Sequence, residues 1–369
     1  GYKFDVAEVI RLTARYGSLD TIEDDYGINL MPLITFAITT YENDPAVPFI
    51  PKGTKPENYS DANVRLMTMI HKAIAVISFK LEGQLVMRNP DFDMSHRLLL
   101  DKIDYEKGTI FIDGADYPLK DYYFPTIDPK NPYALTPEEE LVMNKLTSSF
   151  LNSAKLQDDV SFLFAKGSVY LVYNNNLMLH GCIPMKSETE FKEFNHKGRM
   201  VKGKELLDAL EQTIRNVWVN RFNQTNNDGD YFWYLWCGAC SPIFGKHRMA
   251  TFERYLIEDK GPQSERLDLY YSLRNNVEVC ERILAEFGLT NDKARIINGH
   301  VPVKVKKGES PIMANGRLLV IDGGMSKAYQ KETGIGGYTL VSGSSRLFLV
   351  EHEPFCSRQE SIENESDII

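Results

Sequence analysis

Two of the seven histidines sit where an apolar run meets glycine and proline. One lies in Leu179-His180-Gly181-Cys182-Ile183-Pro184, the other in Asn298-Gly299-His300-Val301-Pro302. A histidine at the end of a buried strand stands at the sheet edge where open α/β sheets take their ligands. The adjoining glycine lets the backbone turn sharply or approach an ion closely. Imidazole is a good ligand for Zn, Mn and Fe. Taken singly, each is more often a structural or surface histidine than a ligand, and the repeated context shifts that balance only modestly. Cys237-Gly-Ala-Cys240 is a C-x-x-C, but no second pair and no thioredoxin-like unit accompanies it. Set in the aromatic run Tyr231–Trp236, it reads as two reduced, buried structural thiols. Asp322-Gly323-Gly324 follows an apolar run and reads either as a strand-end acid beside a site or as a plain turn. Gly334-Ile-Gly-Gly337 fails the G-x-G-x-x-G spacing, and the sequence has no phosphate-loop, G-x-S-x-G or H-x-x-x-H motif.

The elements that must position these residues follow from periodicity. Residues 5–85 are mainly helical, most strongly over Val64–Lys80, with a three-proline loop at Pro48–Pro56. Tyr105–Tyr117 carries turn signals at Lys107-Gly108 and Asp113-Gly114 and predicts a hairpin. Pro125–Pro137 is a proline-rich connector. Thr136 then caps a helix to about Ser153, with Pro137 at its first position and three acids in its first turn. From 161 the pattern is α/β. Strands are expected at Val169–Tyr173, Leu177–His180, Ala294–Ile297, Leu318–Asp322, Tyr338–Val341 and Arg346–Val350. Helices are expected at Lys204–Phe222 and Glu278–Phe287, the latter stopped by Gly288. A composition of 43% hydrophobic and 25% charged residues supports a packed core and excludes a disordered chain. No apolar stretch is long enough to span a membrane, and no Lys/Arg run suggests nucleic acid, the formal net charge being −9. Five cysteines, an odd number, point to reduced thiols in the cytoplasm. The opening Gly-Tyr-Lys-Phe-Asp has no signal-peptide pattern.

Four stretches make the chain recognisable: Leu177–Pro184, Trp233–Glu253, Ile296–Val305 and Leu318–Leu340. Tyr26–Leu30 and Phe79–Gly83 fit beside them. Together they resemble the class III, Firmicutes-type fructose-1,6-bisphosphatases of the calcineurin-like metallophosphoesterase superfamily. The resemblance implies an α/β fold with a metallophosphoesterase-like β-sandwich flanked by helices. It implies hydrolysis of fructose 1,6-bisphosphate to fructose 6-phosphate and phosphate in gluconeogenesis, on a small sugar bisphosphate, with a divalent metal for which Mn2+ is the first expectation. His180 matches the family's H-G metal ligand and His300 its G-H ligand.

The family's early motifs, G-D-x-H-G, G-D-x-x-D-R and G-N-H, do not occur in these 369 residues. The expectation is therefore the C-terminal part of such an enzyme, with an incomplete sandwich, weak or inactive alone because a bridging carboxylate is missing. A substrate with two phosphates needs cations beyond the metals, and Lys246 and Arg248, after the Ser241–Gly245 turn, are the candidates; solvated surface is the equal alternative. Asp322 is the candidate acceptor behind a ligating imidazole. The expected division is a helical region at 1–85, a hairpin, connector and helix inserted at 86–160, the phosphoesterase part at 161–355 and a tail at 356–369. The insertion suits an added regulatory or oligomer surface, with a homo-oligomer left open. A non-catalytic scaffold on a phosphoesterase half-fold and a phosphoprotein phosphatase are the other readings.

Overall fold

A computed structural model describes residues 2–223, 227–323, 333, 337–343, 346–352 and 357–364. Cys356, Gly324 and Gly334–Gly336 lie outside them. The chain folds as mixed α/β and divides into two units that are not collinear with the sequence. The first comprises residues 1–167, 212–238 and 248–266, and the second 168–211, 239–247 and 267–369.

The first unit holds helices α1 (Tyr2–Arg15), α2 (Leu19–Asp24), α3 (Met31–Tyr41), α4 (Ala62–Arg88), α5 (Pro137–Asn152) and α6 (Ala154–Lys166). It adds the end of α7 (Gly203–Val219), then α8 (Asp230–Cys237) and α9 (Phe252–Leu256), and an antiparallel sheet of β1 (Ile103–Asp104), β2 (Thr109–Ile112) and β3 (Ala115–Pro118). The expected hairpin is thus β2–β3, turning at Asp113-Gly114, both at positive φ. Thr136 caps α5 as a full capping box. Its hydroxyl accepts from the Glu139 amide at 3.2 Å, and the Glu139 carboxylate accepts from the Thr136 amide at 2.8 Å.

Helix α4 is the axis of this unit, buried on every side from Ile70 to Gly83. Asp61 caps its start through the amides of Asn63 and Val64. A helix buried all round must pair its charges internally. Lys80 donates to Glu139 at 2.7 Å and to the Thr126 carbonyl at 2.6 Å. Glu82 takes a forked pair from Arg97 at 2.7 and 2.9 Å, plus the Trp233 indole at 3.2 Å. Lys72 is bound by Asp44 and, at 2.7 Å, by Asp121. Gly83 is required by packing, since a Cβ there would lie 2.0 Å from the Tyr133 ring. One hydrophobic cluster joins α4 (Ala75, Val76, Phe79), the small sheet (Ile103, Ile110, Ile112), the connector (Ile127, Tyr133) with Phe124 just before it, and α9 (Phe252, Tyr255, Leu256). The hairpin and connector are therefore part of this core.

The second unit is built on a five-stranded sheet in the order β4-β5-β8-β10-β9. Its strands are β4 (Tyr170–Tyr173), β5 (Asn176–Leu179), β8 (Arg295–Asn298), β9 (Ile312–Met313) and β10 (Leu318–Val320). β5, β8 and β10 run parallel, with antiparallel β4 and β9 at the edges. Ile296, Ile297, Leu318, Leu319 and Val320 are buried, as in a sheet covered on both faces. The unit adds hairpins β6 (Phe194–His196)–β7 (Arg199–Val201) and β11 (Gly337–Ser342)–β12 (Leu347–His352), and helices α10 (Tyr270–Leu273), α11 (Val277–Glu286) and α12 (Arg358–Glu363). Asn276 caps α11 and Gly288, at φ 76°, follows its end.

Several elements differ from expectation, with α8, α9, α10, α12 and β9 forming where none was expected. Helix α6 follows α5 after one residue, because Ser153 both ends α5 and caps α6 through the Leu156 amide. The β6–β7 hairpin turns at Lys197-Gly198, both at positive φ. β10 stops at Val320, so Asp322 stands beyond the strand.

The buried His71 on α4 makes the first unit acid-sensitive. Its Nδ1 lies 2.6 Å from the Phe49 carbonyl and its Nε2 2.8 Å from the Tyr255 hydroxyl. Burial pulls its pKa from 6.5 down to about 3. Between those values the unfolded chain carries a proton that the native unit does not, so stability falls as pH falls. The expected loss is about 2 kcal/mol between about pH 6.5 and about pH 5, at roughly 1.4 kcal/mol per pH unit. All three tryptophans lie in the first unit, so urea unfolding followed by tryptophan fluorescence reads it. His71→Gln should flatten the dependence by about that amount, and equal slopes for variant and wild type would refute the assignment.

Candidate functional site

β5 and β8 are neighbours in parallel, with Leu179 paired to Asn298, and β8 pairs Asn298 to Val320 of β10. The three strands end at one sheet edge. His180 is one residue past β5, His300 two past β8 and Asp322 two past β10. Parallel register thus brings together two histidines 120 positions apart. His180 Nε2 lies 3.0 Å from His300 Nδ1, with ring centroids 4.9 Å apart at 74°.

Local packing holds this arrangement. Gly181 presses against the 241–245 turn so closely that a Cβ would sit 2.1 Å from the Pro242 carbonyl oxygen. The Cys182 amide donates to that same oxygen at 2.8 Å. Ser241 organises the turn, its hydroxyl accepting from the Ile243 and Phe244 amides at 3.2 and 3.1 Å. The Phe244 carbonyl then meets His300 Nε2 at 3.0 Å. His300 itself has φ 64° and is the middle residue of a γ-turn, in which the Val301 amide donates to the Gly299 carbonyl at 2.8 Å. A non-glycine residue in the left-handed region is held there by its surroundings, and such positions cluster at functional sites.

A carbonyl on Nε2 fixes the His300 tautomer: Nε2–H donates and Nδ1 keeps its lone pair facing His180. Burial, then the neighbouring His180, then Lys246 lower the His300 pKa from its ordinary value, against the Phe244 hydrogen bond and Asp322. The ring is therefore neutral at pH 7, the form that binds a metal. Two ligand nitrogens on one ion stand about 3–3.5 Å apart when metal–nitrogen bonds are about 2.0–2.1 Å. The pair fits two adjacent positions around a Zn-, Mn- or Fe-type ion. Among the described residues no group of three or more His, Cys, Asp or Glu side chains converges to complete such a shell.

Each remaining candidate has a defined place. Lys246 is half-buried in the second unit, bridged through its backbone to Leu267, with Nζ 5.7 Å from the Phe244 ring centre. Arg248 belongs to the first unit, where its guanidinium donates to the carbonyls of Ser264 and Pro262 at 3.2 and 3.1 Å and to Asp113 at 3.2 Å. Asp322 accepts the Val303 amide on its carbonyl at 2.9 Å and reaches His300 through charge, whereas the acceptor on the second His300 nitrogen is the Phe244 carbonyl. No disulfide joins Cys237 to Cys240. Cys237 is buried, but Cys240 is half-exposed rather than buried.

Sequence reasoning missed three contributors. The Phe244 carbonyl is backbone and carries no residue-type signal. Tyr271 places its ring centre 6.5 Å from that of His300, and its buried hydroxyl has no hydrogen-bond partner among the described residues. Asn298 was legible as a polar residue closing the buried Ile-Ile run. The tight Gly181 contact generates a prediction. Gly181→Ala should destabilise the second unit by about 1–3 kcal/mol, the usual cost of overpacking, seen by calorimetry. An unchanged melting profile would show that the turns do not interlock as described.

Comparison with known proteins gives this geometry its context. The profile described as Firmicute fructose-1,6-bisphosphatase matches residues 1–369. The chain is 50% identical over 365 residues to fructose-1,6-bisphosphatase class 3 1 of Clostridium beijerinckii, covering 99% of this chain and 55% of that protein. It is 51% identical over 371 residues to the class 3 enzyme of Clostridioides difficile, covering 100% and 56%. It is 50% identical over 366 residues to that of Bacteroides fragilis, covering 98% and 55%. The chain thus spans about half the length of these relatives. No solved structure matches it. A match over every residue, with about half the positions identical to class 3 proteins, means that the chain belongs to the Firmicute fructose-1,6-bisphosphatase family.

Proposed function

We propose that this chain supplies the histidine part of the active site of a fructose-1,6-bisphosphatase, which hydrolyses fructose 1,6-bisphosphate to fructose 6-phosphate and phosphate in gluconeogenesis. The observation that carries the reading is the His180–His300 pair, 3.0 Å apart at the ends of parallel strands. The names of the relatives, fructose-1,6-bisphosphatase class 3, give the substrate.

In this reading His180 Nε2 and His300 Nδ1 bind a divalent ion, for which we propose Mn2+. When bound, such an ion polarises the phosphoryl group and makes hydroxide available at neutral pH. The chain's own residues do the positioning. The Phe244 carbonyl holds the His300 ring, and the 241–245 turn holds the loop of His180. Lys246, close enough to lower the His300 pKa, is the cation assigned to a substrate phosphate. Arg248 would have to release Ser264 and Pro262 to serve likewise. The five-stranded sheet is proposed as one layer of a metallophosphoesterase sandwich. Two imidazoles bring no negative charge to offset divalent cations, and these 369 residues hold none of the three early motifs. The bridging carboxylate is therefore proposed to come from outside these residues. No helix among the described residues is long and apolar enough to cross a membrane, which accords with a proposed cytoplasmic enzyme.

Phosphate release from fructose 1,6-bisphosphate with Mn2+ tests the reading. The 369-residue chain alone should show no detectable turnover. Joined to a relative's segment carrying G-D-x-H-G, G-D-x-x-D-R and G-N-H, it should turn over, and His180→Ala or His300→Ala should then reduce kcat by at least about 100-fold. Turnover that survives both replacements, or robust turnover by the mass-verified chain alone, would show the site to be misplaced. Release from phosphoproteins but not from the sugar bisphosphate would make the enzyme a protein phosphatase, and no release from either would leave a scaffold.

A further inference from the structure

Asn298 closes β8 and is fully buried, as is Tyr270 beside it. An asparagine with no solvent contact must satisfy its amide internally. Its Nδ2 faces the carbonyls of Gly181 at 2.6 Å, His180 at 3.1 Å and Leu179 at 3.4 Å. Its Oδ1 lies 3.2 Å from the Tyr270 hydroxyl. The orientation is unambiguous, because a flipped amide would set an oxygen against three carbonyls. Its two N–H groups serve the two nearest acceptors, those of His180 and Gly181. The Gly299 amide adds a bond to the same His180 carbonyl at 3.1 Å.

The main chain of Asn298 fixes the other partner. It is paired to Leu179 on one side and Val320 on the other, and its carbonyl accepts from the Ile321 amide at 3.0 Å. It then leads through Gly299 directly into the left-handed His300. One residue thus holds the backbone of His180 with its side chain and that of His300 with its main chain. Strand pairing alone does not do this, since both histidines lie past the last paired residues.

We infer that Asn298, with its amide held by the Tyr270 hydroxyl, is the positioning residue that sets the separation of the His180 and His300 imidazoles. The inference deepens the proposed metal-binding reading and rests on it for its role in the reaction, but its primary test needs no metal. In the 369-residue chain labelled with 15N-histidine, long-range 1H–15N spectra report ring tautomers. Wild type should show His300 as a single Nε2–H tautomer and a distinct His180. Asn298→Ala and the near-isosteric Asn298→Asp, shown to be folded by circular dichroism and by the amide spectrum of a uniformly 15N-labelled sample, should show both rings averaging towards free histidine. Tyr270→Phe, which removes one hydroxyl and keeps the ring, should move the same signals less far. Folded Asn298 variants with unchanged ring spectra would overturn the inference. If those variants do not fold, unchanged rings in Tyr270→Phe would overturn it equally.

A second readout titrates Mn2+ alone and follows paramagnetic broadening of the two rings. Asn298→Ala should weaken the apparent affinity by about ten-fold or more. His180→Ala separates the two claims. Mn2+ broadening of His300 that is unaffected by His180→Ala would refute the shared metal site, while the metal-free ring spectra would still decide the role of Asn298.

Discussion

The site depends on the in-register parallel pairing of β5 with β8. A shift of one residue along either strand would exchange its inward and outward side chains. It would bury a histidine or carry it away from its partner. The register is defended by the apolar residues of β8 and β10, by the backbone of Asn298 between two neighbours, and by turns that interlock past the strand ends. Gly181 against Pro242, and His300 Nε2 against the Phe244 carbonyl, convert strand register into ring position.

The first unit meets a different constraint. Its central helix α4 is buried on all sides from Ile70 to Gly83, yet that stretch carries His71, Lys72, Lys80 and Glu82. Each has a specific partner, and two of those partners also organise other elements. Glu139 completes the cap of α5 while binding Lys80, and Tyr255 of α9 receives Arg11 of α1 at 2.9 Å while meeting His71. Replacing one member of a buried pair strands the other, which is why such helices tolerate change poorly even where the pair itself adds little net stability.

Much of this was legible before the structure. The α5 cap, the β2–β3 turn, the end of α11 and four of the five strands of the second sheet carry local signals in Thr136, Asp113-Gly114, Gly288 and short apolar runs, whereas the two-residue β9 carries none. The two histidines stand out by their strand-end, glycine-flanked contexts, but their pairing as ligands rests on the family resemblance. What was not legible depends on long-range contacts or on backbone. Helix α6 directly abuts α5, so periodicity alone did not separate it from the α/β region. The strap on His300 is a main-chain carbonyl of Phe244. Lys246 and Arg248, two residues apart, are offered together by the sequence as phosphate cations, but they belong to different units. No spacing rule separates neighbours of that kind.

The central claim is that His180 and His300 bind one divalent ion together. Pulsed electron paramagnetic resonance on Mn2+-loaded protein, with histidine labelled by 15N, counts the imidazole nitrogens coupled to the metal. The account predicts two, with one lost in His180→Ala and the other in His300→Ala. A Mn2+ signal with no histidine coupling, or one that neither replacement changes, would contradict it.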